Sequence, residues 1–135
     1  MEPARTNASG TILVVDDNAD VRMVVVTQLR SLGFVVIEAG DAIAALKIIK
    51  GSQPIDLLFT DVIMPGGMTG LELGRLAQTI RNGLKVLYTS GFVEAPSQDS
   101  EQLTVAQGNM LSKPYRLREL ARKVKSILLP ETASD

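Results

Sequence analysis

Leu57-Leu58-Phe59-Thr60-Asp61-Val62-Ile63-Met64-Pro65, followed by Gly66-Gly67-Met68-Thr69-Gly70, is the stretch that decides the fold. It is apolar for the length of a strand and stops on a carboxylate. A turn-forming proline and three glycines then precede a helical pattern that starts at Leu71. A continuous apolar run bounded by turn signals suits a strand buried on both faces of a parallel sheet. In open α/β sheets, reactive groups lie just beyond the carboxyl ends of the strands, so Asp61 stands where a functional carboxylate is expected. The competing reading is that Asp61 only caps a turn, an ordinary task for Asp. The flanking chain decides between the two.

Working outward, the same alternation repeats. Ile12-Leu13-Val14-Val15 is a short apolar strand ending on Asp16-Asp17. Asn18-Ala19-Asp20 starts a helix whose apolar face is Val21, Val24, Val25, Leu29 and Leu32, with Gly33 as its stop. Phe34 to Ile37 forms a second strand. Ala42, Ala45, Leu46 and Ile49 mark a second helix, ended by Gly51. The third strand runs from Ile55 to Thr60, and a third helix carries Leu71, Leu73, Leu76 and Ile80 to a stop near Asn82-Gly83. Lys85 to Thr89 is a fourth strand, ending at Ser90-Gly91. A short fourth helix is expected over Asp99 to Ala106, then a fifth strand, Met110 to Ser112, ended by Lys113-Pro114. The last helix, Arg116 to Leu128, places Leu117, Leu120, Ala121, Val124 and Leu128 at core spacing. Five βα units with short connections imply an α/β fold, a doubly wound five-stranded parallel sheet with helices on both faces. Residues 11–128 make one domain, with a flexible lead-in over 1–10 and a flexible tail over 129–135.

Composition narrows the chemistry. A chain of 135 residues with 45% hydrophobic and 21% charged residues suits one soluble domain with a real core. A net charge of −1 gives no basic excess for nucleic acid. No apolar run approaches the roughly 20 residues that span a bilayer, and Met1 to Gly10 resembles no signal peptide, so a cytoplasmic location is the default. The absence of Cys and His removes disulfides, thiolate nucleophiles, imidazole bases and the usual zinc ligands. What remains is carboxylates, hydroxyls, amines and backbone groups.

The strand ends collect those groups: Asp16 and Asp17, Asp61, Ser90, and Lys113. Three carboxylates together repel one another unless a cation sits among them. Oxygen ligands without His or Cys favour a hard ion, and Mg2+ is content with two or three protein ligands and several waters. A lysine and a hydroxyl beside the cluster suit the oxygens of a phosphoryl group. An Asp carboxylate attacks phosphorus to give an acyl phosphate, with catalysis reduced to positioning and electrostatics. Bland alternatives accompany each residue: Asp17 or Asn18 as a helix cap, Lys113 as a surface lysine, Ser90-Gly91 as a turn. Met64, Met68 and Met110 are expected to pack rather than bind. In the last helix, Arg116, Arg118, Arg122, Lys123 and Lys125 face a single acid, Glu119, as a solvated face or as a docking face for an acidic partner.

The set Val-Val-Asp16-Asp17, Thr-Asp61-Val-Ile-Met-Pro65, Thr-Ser90-Gly91 and Ser-Lys113-Pro114 resembles the receiver domain of two-component response regulators. The resemblance covers about residues 11–128, in the family's order and spacing. It implies a flavodoxin-like sheet of order 2-1-3-4-5 and a phosphoacceptor at Asp61. It also implies that Asp16, Asp17, Asp61 and the backbone carbonyl of Ile63 hold Mg2+, or Mn2+ in its place. By the same resemblance Ser90 and Lys113 bind the phosphoryl group, Ser90 as the moving hydroxyl, and a cis peptide precedes Pro114. Ile63 and Phe92 fall where residues of the family tune the phosphoryl lifetime. The wording Leu-Tyr-Thr-Ser-Gly-Phe and Leu-Ser-Lys-Pro-Tyr is similar to receivers attached to hybrid histidine kinases or to their free-standing relatives. Two departures stand out. The loop after Pro65 is one residue longer than the family's commonest form, and Met110 occupies the position of the usual switching aromatic.

The implied function is a signalling switch rather than an enzyme. The phosphoryl group comes from a histidine kinase or histidine phosphotransfer protein. It changes the surface of the fourth helix, fifth strand and last helix for a downstream protein, is passed on, or promotes a dimer. Nothing after Leu128 is long enough to form an output domain. A phosphatase using an aspartyl-phosphate intermediate needs a second acid two residues after the nucleophile, where Ile63 stands and cannot transfer a proton. A flavodoxin-like cofactor binder needs a phosphate-cradling loop after the first strand, where Asp16-Asp17 repels phosphate.

Overall fold

The computed structural model describes residues 10–62, 68–90, 110–112 and 115–128. Within them the strands are β1 (Thr11–Val15), β2 (Val35–Ala39), β3 (Leu57–Asp61), β4 (Lys85–Ser90) and β5 (Met110–Ser112). The helices are α1 (Ala19–Ser31), α2 (Ala42–Lys50), α3 (Gly70–Ile80) and α4 (Leu117–Leu128). All the strands pair in parallel, in the order β2-β1-β3-β4-β5. The helix expected over Asp99 to Ala106 lies outside the described residues.

β3 is central, and its buried run explains why. Leu57, Leu58, Phe59 and Thr60 are all nearly inaccessible. Because successive side chains of a strand alternate between faces, Leu58 enters one core and Leu57 and Phe59 the other. The first core holds Leu13, Ala45, Ile49, Leu73, Ala77, Val86 and Tyr88, from the α2 and α3 side. The second holds Ile12, Val14, Val25, Leu29, Leu87, Leu120 and Val124, from the α1 and α4 side. Truncating a leucine buried this completely costs about 2–5 kcal/mol, so β3 anchors both layers at once. Met68 and Met110 pack against the first core, in keeping with a filling role.

The helix ends follow local chemistry. Asn18 caps α1 by accepting from the N–H groups of Asp20 and Val21, and Asp41 caps α2 through Ala44 N–H. Thr69 and Glu72 form a reciprocal capping box that starts α3. Three helix faces depart from the sequence expectation at single positions. Val26 rather than Val24 joins the α1 core, and Val24 is 54% exposed. In α3, Gly74 and Ala77 face inward while Leu76 and Ile80 are more than a third exposed. Small residues win there because α3 lies close against the sheet. Leu117, expected in the core, is likewise exposed at the start of α4. β2 begins one residue later than expected and runs two further, with Phe34 packing from the preceding connection.

Candidate functional site

The order reverses between β1 and β3, and a reversal opens a crevice at the C-terminal edge of the sheet. β1 delivers Asp16 and Asp17 there and β3 delivers Asp61. Carboxylate oxygens of the three lie within 4.8 Å of one another. Asn18 takes the capping role at α1, which leaves the exposed Asp17 carboxylate to the cluster.

Asp16 and Asp61 are held by their surroundings. Asp16 is 7% exposed; its Oδ1 accepts from Asn18 N–H at 3.0 Å, and its own N–H donates to Ala39 carbonyl at 3.3 Å. Arg22, one turn into α1, donates from Nη1 to the Asp16 carbonyl at 2.6 Å and from Nε to Glu38 Oε1 at 3.2 Å. The loop after β1 is thereby tied to the end of β2. Asp61 Oδ1 accepts from Thr89 Oγ1 at 3.3 Å. Those two residues are register partners on β3 and β4.

The backbone leaving β3 is pinned as well. Val62 N–H donates to Thr89 carbonyl at 2.9 Å, and Gly70 N–H donates to Val62 carbonyl at 2.8 Å. A Cβ at Gly70 would be driven into the Asp61 carbonyl. Only glycine lets α3 start this close to the end of β3.

A small cleft beside the acids is bounded by Asp16, Asp61, Thr89 and Tyr115, with Val14, Val25 and Phe59 as its apolar floor. Burial pushes the Tyr115 phenol up to about 12, and the negative charges of Asp16 and Asp61 add to the shift. Tyr115 therefore stays protonated and brings an O–H donor to an acidic site.

The oxygen set fits a hard divalent ion. Around Mg2+, with oxygens at 2.0–2.1 Å, neighbouring ligands lie about 3 Å apart and opposite ones about 4 Å apart. A cluster already within 4.8 Å therefore needs only small side-chain rotations to reach that geometry.

The response regulator receiver domain family matches residues 12–125. The chain belongs to that family. The receiver is 34% identical over 119 residues to the response regulator receiver protein CpdR of Brucella abortus, covering 87% of this chain and 96% of that protein. It is also 34% identical over 124 residues to the sensor kinase CckA of the same organism, where it covers 90% of this chain but spans only 13% of the kinase. Among solved structures, it resembles the receiver domain of the sensor histidine kinase PA1611 from Pseudomonas aeruginosa. The TM-score is 0.72 at 29% identity, over 90% of this chain and 98% of that one. That structure has a magnesium ion coordinated in its active-site cleft. The family is a phosphoacceptor module of two-component signalling, not a classical enzyme. Among the described residues, no helix of the receiver is long and apolar enough to cross a membrane.

Of the residues expected from sequence, Asp16, Asp17 and Asp61 are brought together. Ser90 ends β4, next to the site, but its side chain lies outside the described residues. Ile63, Phe92, Lys113 and Pro114 also lie outside them. Three residues beside the acids were not foreseen: Arg22, Thr89 and Tyr115. Arg22 falls four residues after the Asn18 cap, on the same face of α1. Thr89 is a polar residue at the end of an otherwise apolar strand. Tyr115 follows Lys113-Pro114 at a strand exit, where no sequence pattern distinguishes it from a packing residue.

Proposed function

We propose that the receiver accepts a phosphoryl group on Asp61 from a phosphohistidine of a histidine kinase or histidine phosphotransfer protein. The observation that carries this reading is the cluster of three carboxylates within 4.8 Å at the reversal of strand order. A carboxylate oxygen of Asp61 attacks phosphorus, the phosphorus–nitrogen bond of the donor breaks, and the histidine ring leaves with that electron pair. Asp16, Asp17, Asp61 and the carbonyl of Ile63 would hold Mg2+, or Mn2+. The bound ion supplies positive charge against the phosphoryl oxygens. Ser90 and Lys113 take the remaining oxygens.

Phosphorylation biases an existing two-state equilibrium through the Ser90 loop. The surface it alters combines the segment over Asp99 to Ala106, β5 and α4. A protein partner reads that surface, a further histidine receives the phosphate, or two receivers dimerise. Met110 in place of the aromatic leaves Ser90 with most of the coupling. Ile63 and Phe92 offer no hydrogen bond to an in-line water and shield the acyl phosphate, which lengthens its lifetime. Residues 11–128 form the working unit, in the cytoplasm where such kinases present their phosphohistidine.

The test is incubation with acetyl phosphate and Mg2+, followed by mass spectrometry. A hydroxylamine-labile phosphoryl increment on Asp61 is the expected result. Label elsewhere, or none, refutes the assignment.

A further inference from the structure

We infer that Thr89 is a positioning residue for the nucleophile: its hydroxyl fixes the rotation of the Asp61 carboxylate from the α1–α4 side of the sheet. The inference rests on the reading of Asp61 as phosphoacceptor. A carboxylate that must present one oxygen to a cation and the other to phosphorus cannot rotate freely about its last bond. A donor that holds one oxygen reduces the search to the reactive orientation, and orientation is where such a site gains its rate. Thr89 Oγ1 is that donor, 3.3 Å from Asp61 Oδ1.

Three observations make the contact specific to the site. Thr89 and Asp61 are register partners, so the backbone sets their approach. Thr89 is paired on both sides, with Asp61 of β3 and Leu111 of β5, and its carbonyl accepts from Val62 N–H at 2.9 Å, so the residue itself cannot drift. Finally, Thr89 is 4% exposed and borders the cleft floored by Val14, Val25 and Phe59. Little water competes for its hydroxyl there, and hydrogen bonds in such surroundings are stronger than in solvent. Strand alternation places Thr89 with Leu87 on the α1–α4 face.

The experiment compares the full chain with Thr89→Val and Thr89→Ser in acetyl phosphate and Mg2+, measuring label on Asp61 against time. Valine keeps the branched shape that suits β4 but removes the donor. A lost hydrogen bond to a charged group, scaled down for its length, slows labelling at saturating donor by about fivefold to tenfold. The half-saturating concentrations of acetyl phosphate and Mg2+ stay within about twofold, because orientation acts on the chemical step rather than on binding. Serine restores the rate to within about twofold of the original. Thr89→Val labelled at the wild-type rate overturns the inference alone. So does Thr89→Ser labelled as slowly as valine, which would assign the effect to packing of the methyl group. No label on the unaltered chain overturns the phosphoacceptor reading and this inference together.

Discussion

Gly70→Ala should damage the fold and the site through one contact. Gly70 is the first residue of α3, and a Cβ there meets the carbonyl oxygen and carbon of Asp61 and the Cα of Val62, all backbone atoms. No rotamer change relieves a clash with backbone, so α3 or the end of β3 must move. Ordinary overpacking costs about 1–3 kcal/mol. Displacement here also strains the hydrogen bond from Gly70 N–H to Val62 carbonyl and the Thr69–Glu72 capping box, each worth about 1 kcal/mol. Against this, alanine gains about 1 kcal/mol over glycine in helix propensity. The net is a loss of about 3 kcal/mol, which for a domain of this size lowers Tm by about 10 °C. Gly83→Ala is the control: φ is +86° and nothing lies within 4 Å of a Cβ, so it costs about 1 kcal/mol of backbone strain and leaves the site alone. The assay is thermal melting by circular dichroism, paired with Mg2+ titration followed by tyrosine emission, since the chain has two Tyr and no Trp. Gly70→Ala should also weaken Mg2+ binding, because the clash moves the Asp61 backbone. A variant that melts within about 2 °C of wild type and titrates with Mg2+ as wild type does would refute the packing argument.

Asp61→Asn should take no label from a phosphodonor, and without metal it should melt at an equal or higher temperature. The amide no longer repels its neighbouring carboxylates, a gain of about 1 kcal/mol; a lower melting temperature in chelator would contradict this. Tyr115 predicts an alkaline effect. Its folded pKa is raised from 10.0 to about 12, so the associated stability is fully present below pH 10 and is lost as pH rises towards 12. The loss is about 2–3 kcal/mol. Denaturant titrations of wild type and Tyr115→Phe should diverge by that amount between pH 10 and 12, and parallel curves would refute the burial argument. Gly74→Ala should cost about 1–3 kcal/mol by pressing on the buried Tyr88 ring and hydroxyl. Because the obstacle is a side chain, Tyr88→Phe should recover part of that loss in the double variant; strictly additive losses would place the clash elsewhere.

The layered fold was legible because β3 carries its own address. Leu57 to Thr60 are buried on both faces, and the only structures that bury a strand so completely put helices on each side of it. The acids were legible for a related reason: a carboxylate ending an apolar strand has no packing role, so its position alone suggests use. The helix faces were less so. Leu76 and Ile80 look like core residues by spacing, but Gly74 and Ala77 are chosen by how near α3 comes to β4, a distance no local pattern records. Thr89 was missed because a threonine near a strand end is ordinary. Its significance comes from pairing with Asp61 across two strands separated by a helix and two connections.

A tension follows from this division between strand and strand end. β3 contributes most where it is apolar, up to Thr60, and the charged cluster begins at the next residue. Three acids within 4.8 Å repel one another, and donors such as Asn18 N–H on Asp16 and Thr89 Oγ1 on Asp61 offset that cost. A site relieved of its charge would be more stable and would have no affinity for a cation or a phosphoryl group. In the proposed switch, that repulsion is the source of the response. A ligand that neutralises the cluster is bound more tightly by the conformation that gathers the acids closest, and differential affinity of that kind is what shifts a population. Donors that hold the acids in place, Thr89 among them, keep the unliganded site from relaxing by rotating its carboxylates apart.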